Sequence, residues 1–138
     1  MIIVKMVHIL LLIVDSQMML NEYGNITKKH IEDISLKWDN VFVPKYVIMP
    51  NHIHMILEIE CVQNRQEQKV SVQHIIGAMK SLITMEILSI YKANNKYMGK
   101  IFQRSYYDHI IRNEAEYNKI WEYIDTNPLK WELDKYYI

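Results

Sequence analysis

The segment Pro50 to Glu60, PNHIHMILEIE, carries two imidazoles two residues apart. On an extended strand alternate side chains share a face, so His52, His54, Ile56 and Glu58 point one way and Ile53, Met55, Leu57 and Ile59 the other. The second set is wholly apolar and must face helices. The first presents two nitrogen donors together, in a relation that lets both reach one divalent ion. Taken alone the pattern is weakly specific, because two surface or hydrogen-bonded histidines produce it equally well.

A second group lies in NEAEYNKIWEYIDTNP, Asn113 to Pro128. Tyr117, Ile120, Trp121 and Ile124 recur at three and four residues and form the buried stripe of a helix, while Tyr123 and Asn127, four apart, share an adjoining face. A phenol and an amide oxygen thus lie on one helix edge. With ten tyrosines in the chain, a tyrosine packed at a helix rim meets the same spacing, so spacing does not make Tyr123 a nucleophile. In FQRSYYDHIIRN, Phe102 to Asn113, alternation sets Tyr107, His109 and Ile111 against Asp108, Ile110 and Arg112. His109 joins the histidine pair if this strand crosses the same sheet face. Packed tyrosines with solvated charges are the alternative.

These residues need elements to position them. Periodicity predicts a strand over His8–Val14 and a helix over Ile26–Trp38, then strands Val41–Met49 and His52–Ile59 joined tightly through Pro50 and Asn51. VQNRQEQK, Val62 to Lys69, has the composition of an exposed loop. From Ser71 to about Ala93, apolar residues at helical spacing predict the clearest helix, its Met and Ile stripe belonging to the core. Tyr106–Arg112 alternates as a strand. Asn113 and Glu116 then match a capping box opening a helix that Pro128 must end. The order is βαββαβ plus a terminal helix, which suits an α+β, ferredoxin-like antiparallel sheet with helices on one face.

At 138 residues, half of them apolar, the chain is read as one domain spanning 1–138. Its 16 basic residues balance 16 acidic ones, so net charge supplies no electrostatic argument for nucleic acid. Locally, Lys92, Lys96, Lys100, Arg104 and Arg112 outnumber Asp108, which predicts a basic strip or else a solvated loop face. The single cysteine, Cys61, excludes an internal disulfide and a cysteine-cluster zinc site and fits a reducing cytoplasm. The opening MIIVKMVHILLLIVDS lacks a small-residue cleavage site and is too short to span a bilayer, so no membrane attachment is expected.

YVIMPNHIHMIL, GAMKSLIT, FQRSYYDHIIRNEAEY and EYIDTNPLKW, occurring in this order, resemble the REP-associated tyrosine transposases and related single-tyrosine HUH transposases, from about Met18 to the C-terminus. The resemblance implies that His52 and His54 hold a magnesium or manganese ion, with Asn127 as the third ligand. It implies that Tyr123 is the nucleophile that forms a 5′-phosphotyrosine link with single-stranded DNA, often beside a hairpin, and frees a 3′-hydroxyl able to reverse the reaction. Lys80, Arg104, His109 and Arg112 are candidate DNA contacts. The implied setting is the bacterial cytoplasm at the nucleoid, and the implied state a monomer or homodimer. Because only ten residues follow Pro128, a same-subunit site is expected. Residues 1–18 depart from the family's aromatic-rich, Thr-x-x-Thr-like first strand, and the expectation is a truncated or replaced strand. Two other classes fit in part: a non-catalytic nucleic-acid-binding domain derived from an inactivated transposase, and a phosphodiesterase that uses water.

Overall fold

A computed structural model of the chain describes residues 2–5, 11–14, 17–49, 52–60, 71–103 and 106–126. Cys61, the predicted loop at Val62–Lys69, Arg104, Asn127 and Pro128 lie outside the described residues. The elements are β1 (Ile2–Lys5), β2 (Leu11–Val14), β3 (Gln17–Leu20), α1 (Glu22–Glu32), α2 (Ile34–Lys37), β4 (Val41–Met49), β5 (His52–Ile59), α3 (Val72–Ala93), β6 (Tyr107–Asp108) and α4 (Glu114–Thr126).

Four strands form an antiparallel sheet in the order β4-β5-β1-β6, and β2 and β3 pair separately as a two-stranded sheet. This is the ferredoxin-like arrangement, with a hairpin inserted after the first strand. The strand expected at His8–Val14 is present over Leu11–Val14, His8 to Leu10 lying outside the described residues, but this topology corrects its place. The sheet strand is Ile2–Lys5, central between β5 and β6, whereas Leu11–Val14 pairs with Gln17–Leu20. An unpunctuated apolar run gives alternation no boundary to lock onto. The sheet therefore does have its central strand.

β5 shows the alternation most clearly. Ile53 and Met55 are buried in the main core, with Leu57 and Ile59 packed at its margin. Over this face lie α1 and α3, whose Ile26, Ile31, Ile75, Ile76, Met79, Ile83 and Ile87 complete the core. Each such side chain contributes about 1.5–3 kcal/mol on burial. The Ser71 hydroxyl caps α3 by accepting the His74 N–H at 3.1 Å. The helix stops at Asn94, followed by Asn95 at φ 53°, a left-handed conformation that asparagine tolerates.

The first helix begins four residues earlier than expected, because the Asn21 side chain accepts the Gly24 N–H at 2.9 Å, and it breaks at Asp33, leaving α2 as a single turn. It is tied to α3 by a stacked Tyr23–Tyr91 pair, with ring centroids 6.0 Å apart, and by Glu86. The Glu86 carboxylate meets His30 Nε2 at 2.6 Å and Lys29 Nζ at 3.4 Å. The strand expected over Tyr106–Arg112 shrinks to Tyr107–Asp108, the two residues that find partners on β1. The β4–β5 ladder shifts by one residue between Phe42 and Lys45, a bulge containing Pro44, which has no N–H to give a ladder and lies here in the edge strand. Among the described residues, no helix is long and apolar enough to cross a membrane.

Candidate active site

His52 and His54 point to the face of β5 opposite the main core, and both are fully buried. The register puts Met49 opposite His52 and Val47 opposite His54 on β4, and Lys5 and Ile3 opposite them on β1. The strand carrying the two imidazoles is thus paired on both sides. Their Nε2 atoms face each other at 2.9 Å, with ring centroids 4.6 Å apart and planes at 85°. An octahedral ion with ligands about 2.1 Å away has adjacent donors about 3 Å apart, so the pair has the separation a divalent cation requires. Among the described residues no group of three His, Cys, Asp or Glu side chains gathers. The two histidines would hold the ion with other oxygen donors, and the predicted third ligand, Asn127, is outside the described residues.

The terminal helix α4 covers this face. Asn113 caps it by accepting the Glu116 N–H at 2.8 Å, and the Glu116 carboxylate accepts the Arg112 N–H at 3.3 Å, which is the predicted capping box displaced by one residue on its second bond. Three contacts seat it on the sheet. Lys45 Nζ meets Asp125 Oδ1 at 2.6 Å and lies 5.1 Å from the Trp121 ring centroid. Lys45 pairs with Ile56, on the histidine side. Ile124 is buried, while Trp121 is 36% exposed and Tyr117 and Ile120 are only partly covered. The predicted buried stripe is therefore corrected to one fully buried residue with partly covered flanks, because α4 rests on a face made of polar residues as well as apolar ones.

The third contact joins the two predicted groups. The Tyr123 ring packs edge-on against His54, with centroids 5.3 Å apart and planes at 88°, and Tyr123 keeps 38% of its surface exposed. A phenol and two imidazoles, 69 residues apart in sequence between His54 and Tyr123, thus share one site in one chain.

The remaining candidates lie elsewhere. His109 does not join the pair. Its Nε2 contacts the Glu116 carboxylate at the start of α4, and this hydrogen bond, then that from the Arg112 N–H, holds the Glu116 carboxyl below its usual range. Seven residues of helix separate Glu116 from Tyr123, about 10 Å. Arg112 is exposed beside it. Lys80 is on α3, over the opposite face of the sheet, where its Nζ reaches the Gln103 carbonyl at 3.5 Å. Sequence reasoning missed Lys45 and Asp125, the ion pair that seats α4. Without the bulge Lys45 would fall on the core face, and the only signal of the bulge is Pro44.

Residues 4–127 match the family model of the IS200-like transposases. The chain is 36% identical over 137 residues to an uncharacterized protein of Haemophilus influenzae (strain ATCC 51907 / DSM 11121 / KW20 / Rd), a match covering 91% of this chain and 76% of that one. Its fold is similar to that of a REP-associated tyrosine transposase solved bound to a REP hairpin, with a TM-score of 0.67 and 18% identity over 97% of this chain and 68% of the other.

Proposed function

Because the chain belongs to the IS200-like transposase family, we propose that it nicks and rejoins single-stranded DNA beside hairpins at the ends of mobile or repeat elements, using Tyr123 as nucleophile. In this reading His52 and His54 hold a magnesium or manganese ion, with Asn127 completing the protein's ligands, and the protein works in the bacterial cytoplasm at the nucleoid. One observation carries the reading: the Tyr123 ring lies against His54, whose Nε2 converges with that of His52 at 2.9 Å.

The chemistry follows from the groups present. A phenol ionises near pH 10, so Tyr123 must lose its proton as it attacks. The bound cation would polarise a phosphate oxygen and offset its charge. The Tyr123 oxygen forms a bond to phosphorus while the bond from phosphorus to the 3′-oxygen breaks, and the departing 3′-oxygen takes up a proton. The phosphotyrosine keeps the phosphodiester energy, so attack by a 3′-hydroxyl on the same phosphorus rejoins DNA and returns the phenol without a nucleotide cofactor. Helix α4 holds the phenol at the pair, supplying orientation that would otherwise cost entropy.

Incubation with end-labelled, hairpin-bearing single strands and manganese should give a covalent protein–DNA band on a denaturing gel. Tyr123→Phe should lose that band and retain DNA binding. Continued cleavage by the Phe variant would point instead to a water-using phosphodiesterase. Binding without cleavage by the wild type, with or without metal, would point to a non-catalytic binder.

A further inference from the structure

On the other side of the sheet, Lys80, Ser81, Thr84 and Lys100 line a groove of about 530 Å³ between α3 and the 100–103 segment, together with Ile101 and Phe102. Lys80 is held in place there. Its Nζ lies 5.7 Å from the Phe102 ring centroid and 5.8 Å from that of Tyr106, besides reaching the Gln103 carbonyl. Burial, and then the charge of Lys100, lower its pKa. Two like charges therefore stand close together beside two hydroxyl groups, and a shared anion would relieve their repulsion.

The edge strand connects this groove to the histidine pair. Ile3 is opposite both His54 and Tyr107 in the register, so Tyr107 lies in one cross-strand row with His54, about 10 Å away on the same face. It is 50% exposed. Tyr106, the residue before it, meets Lys80 of α3 on the opposite face. A strand of DNA leaving the histidines across this row and over the edge arrives at Lys80 and Lys100. The path is about 20 Å, two strand spacings plus one layer thickness, or about six stacked nucleotides.

We propose that this groove binds a backbone phosphate of the DNA strand processed at the histidine–tyrosine site, about six nucleotides from the phosphate attacked. The inference rests on DNA being the substrate but not on cleavage, and it is tested in EDTA, where only binding is read. Fluorescence anisotropy with a 20-nucleotide single strand, repeated across a series of NaCl concentrations, should give for Lys100→Gln a slope of log K against log salt shallower by about 0.7. Lys80→Met with Lys100→Gln should lower it by about twice that. Lys37→Gln, an exposed lysine on α2, should bind like the wild type. Wild-type affinity should step up between five and ten nucleotides of length as both regions become engaged, and the double variant should lack that step. An unchanged slope in Lys100→Gln, or an equal loss in Lys37→Gln, overturns the proposal. Lys100 is exposed, so its variant decides the matter even if the Lys80 change disturbs folding. If wild-type protein forms the tyrosyl adduct while these slopes stay unchanged, only the groove is lost. If the slopes change but no adduct forms, only the cleavage chemistry is lost.

Discussion

The two faces of the central sheet are built from the same strands and carry opposite kinds of side chain. On one, Ile53 and Met55 of β5 and Ile48 of β4 join two helices in a continuous apolar core. On the other, His52, His54 and Lys45 meet a helix with a single fully buried side chain, Ile124. The apolar core and the proposed site are thus separated by one step along each strand. Helix α4 is thus seated by an ion pair, a cation–π contact, one ring edge and one buried side chain, against the seven buried side chains by which α1 and α3 hold the core face. A local opening at α4 costs little compared with opening the main core.

That contrast sets the size of what each change should do. His54→Ala removes a nitrogen donor and the surface against which Tyr123 packs. Adduct formation should fall by at least about two orders of magnitude, since even an outer-shell partner of a metal site is worth roughly 10–100-fold. Circular dichroism should still report a folded protein. Equal activity in this variant would break the division between faces. On the opposite side of the same strand, Ile53→Ala should destabilise the fold by about 2–5 kcal/mol. Denaturant unfolding checks this, the midpoint moving while the slope stays constant.

The smallest effect is expected at the α1–α3 clamp. The hydrogen bond from His30, helped by Lys29, keeps the Glu86 carboxyl below its usual value of 4.5 against an opposing burial effect. A carboxyl more acidic in the folded than in the unfolded chain stabilises the fold above the unfolded value. That contribution disappears as pH falls from about 4.5 through the lower folded value. Thermal melts between pH 3 and 6 should therefore show a shallower acid decline for Glu86→Gln than for the wild type. Parallel curves would remove the clamp from the features that separate the core face from that of the proposed site.

How much was legible in advance follows the same division. β5 and α3 could be read closely because their apolar residues keep strict periods of two and of three to four, and nearby residues decide both. The capping of α4 by Asn113 was legible for the same reason. The first strand was not, since Ile2 to Val14 is apolar almost throughout and pairing with β5 and β6, about 50 and over 100 residues away, decides which part enters the sheet. The break at Asp33 and the shortness of β6 also depend on tertiary partners. At the site, the histidines' common face could be read locally. Their meeting with Tyr123 required the path of the whole chain, and in the sequence only resemblance to a family singled that tyrosine out. The His109–Glu116 contact was missed because it joins a strand's end to a helix start.

The bulge in β4 acts as a phase switch for everything after it. Before it, Val41 lies opposite Ile59 and Phe42 opposite Glu58; beyond it, Lys45 lies opposite Ile56 and Ile48 opposite Ile53. The added residue exchanges odd and even positions. A β4 of the same sequence paired regularly, without the bulge, would keep its hydrogen-bonding partner, yet it would turn Lys45 inward among isoleucines and Ile48 outward toward the histidines. Removing one residue at Val43 or Pro44 would close the bulge and leave each later residue on its present side, whereas losing one from the regular stretch beyond Lys45 would invert every residue after it.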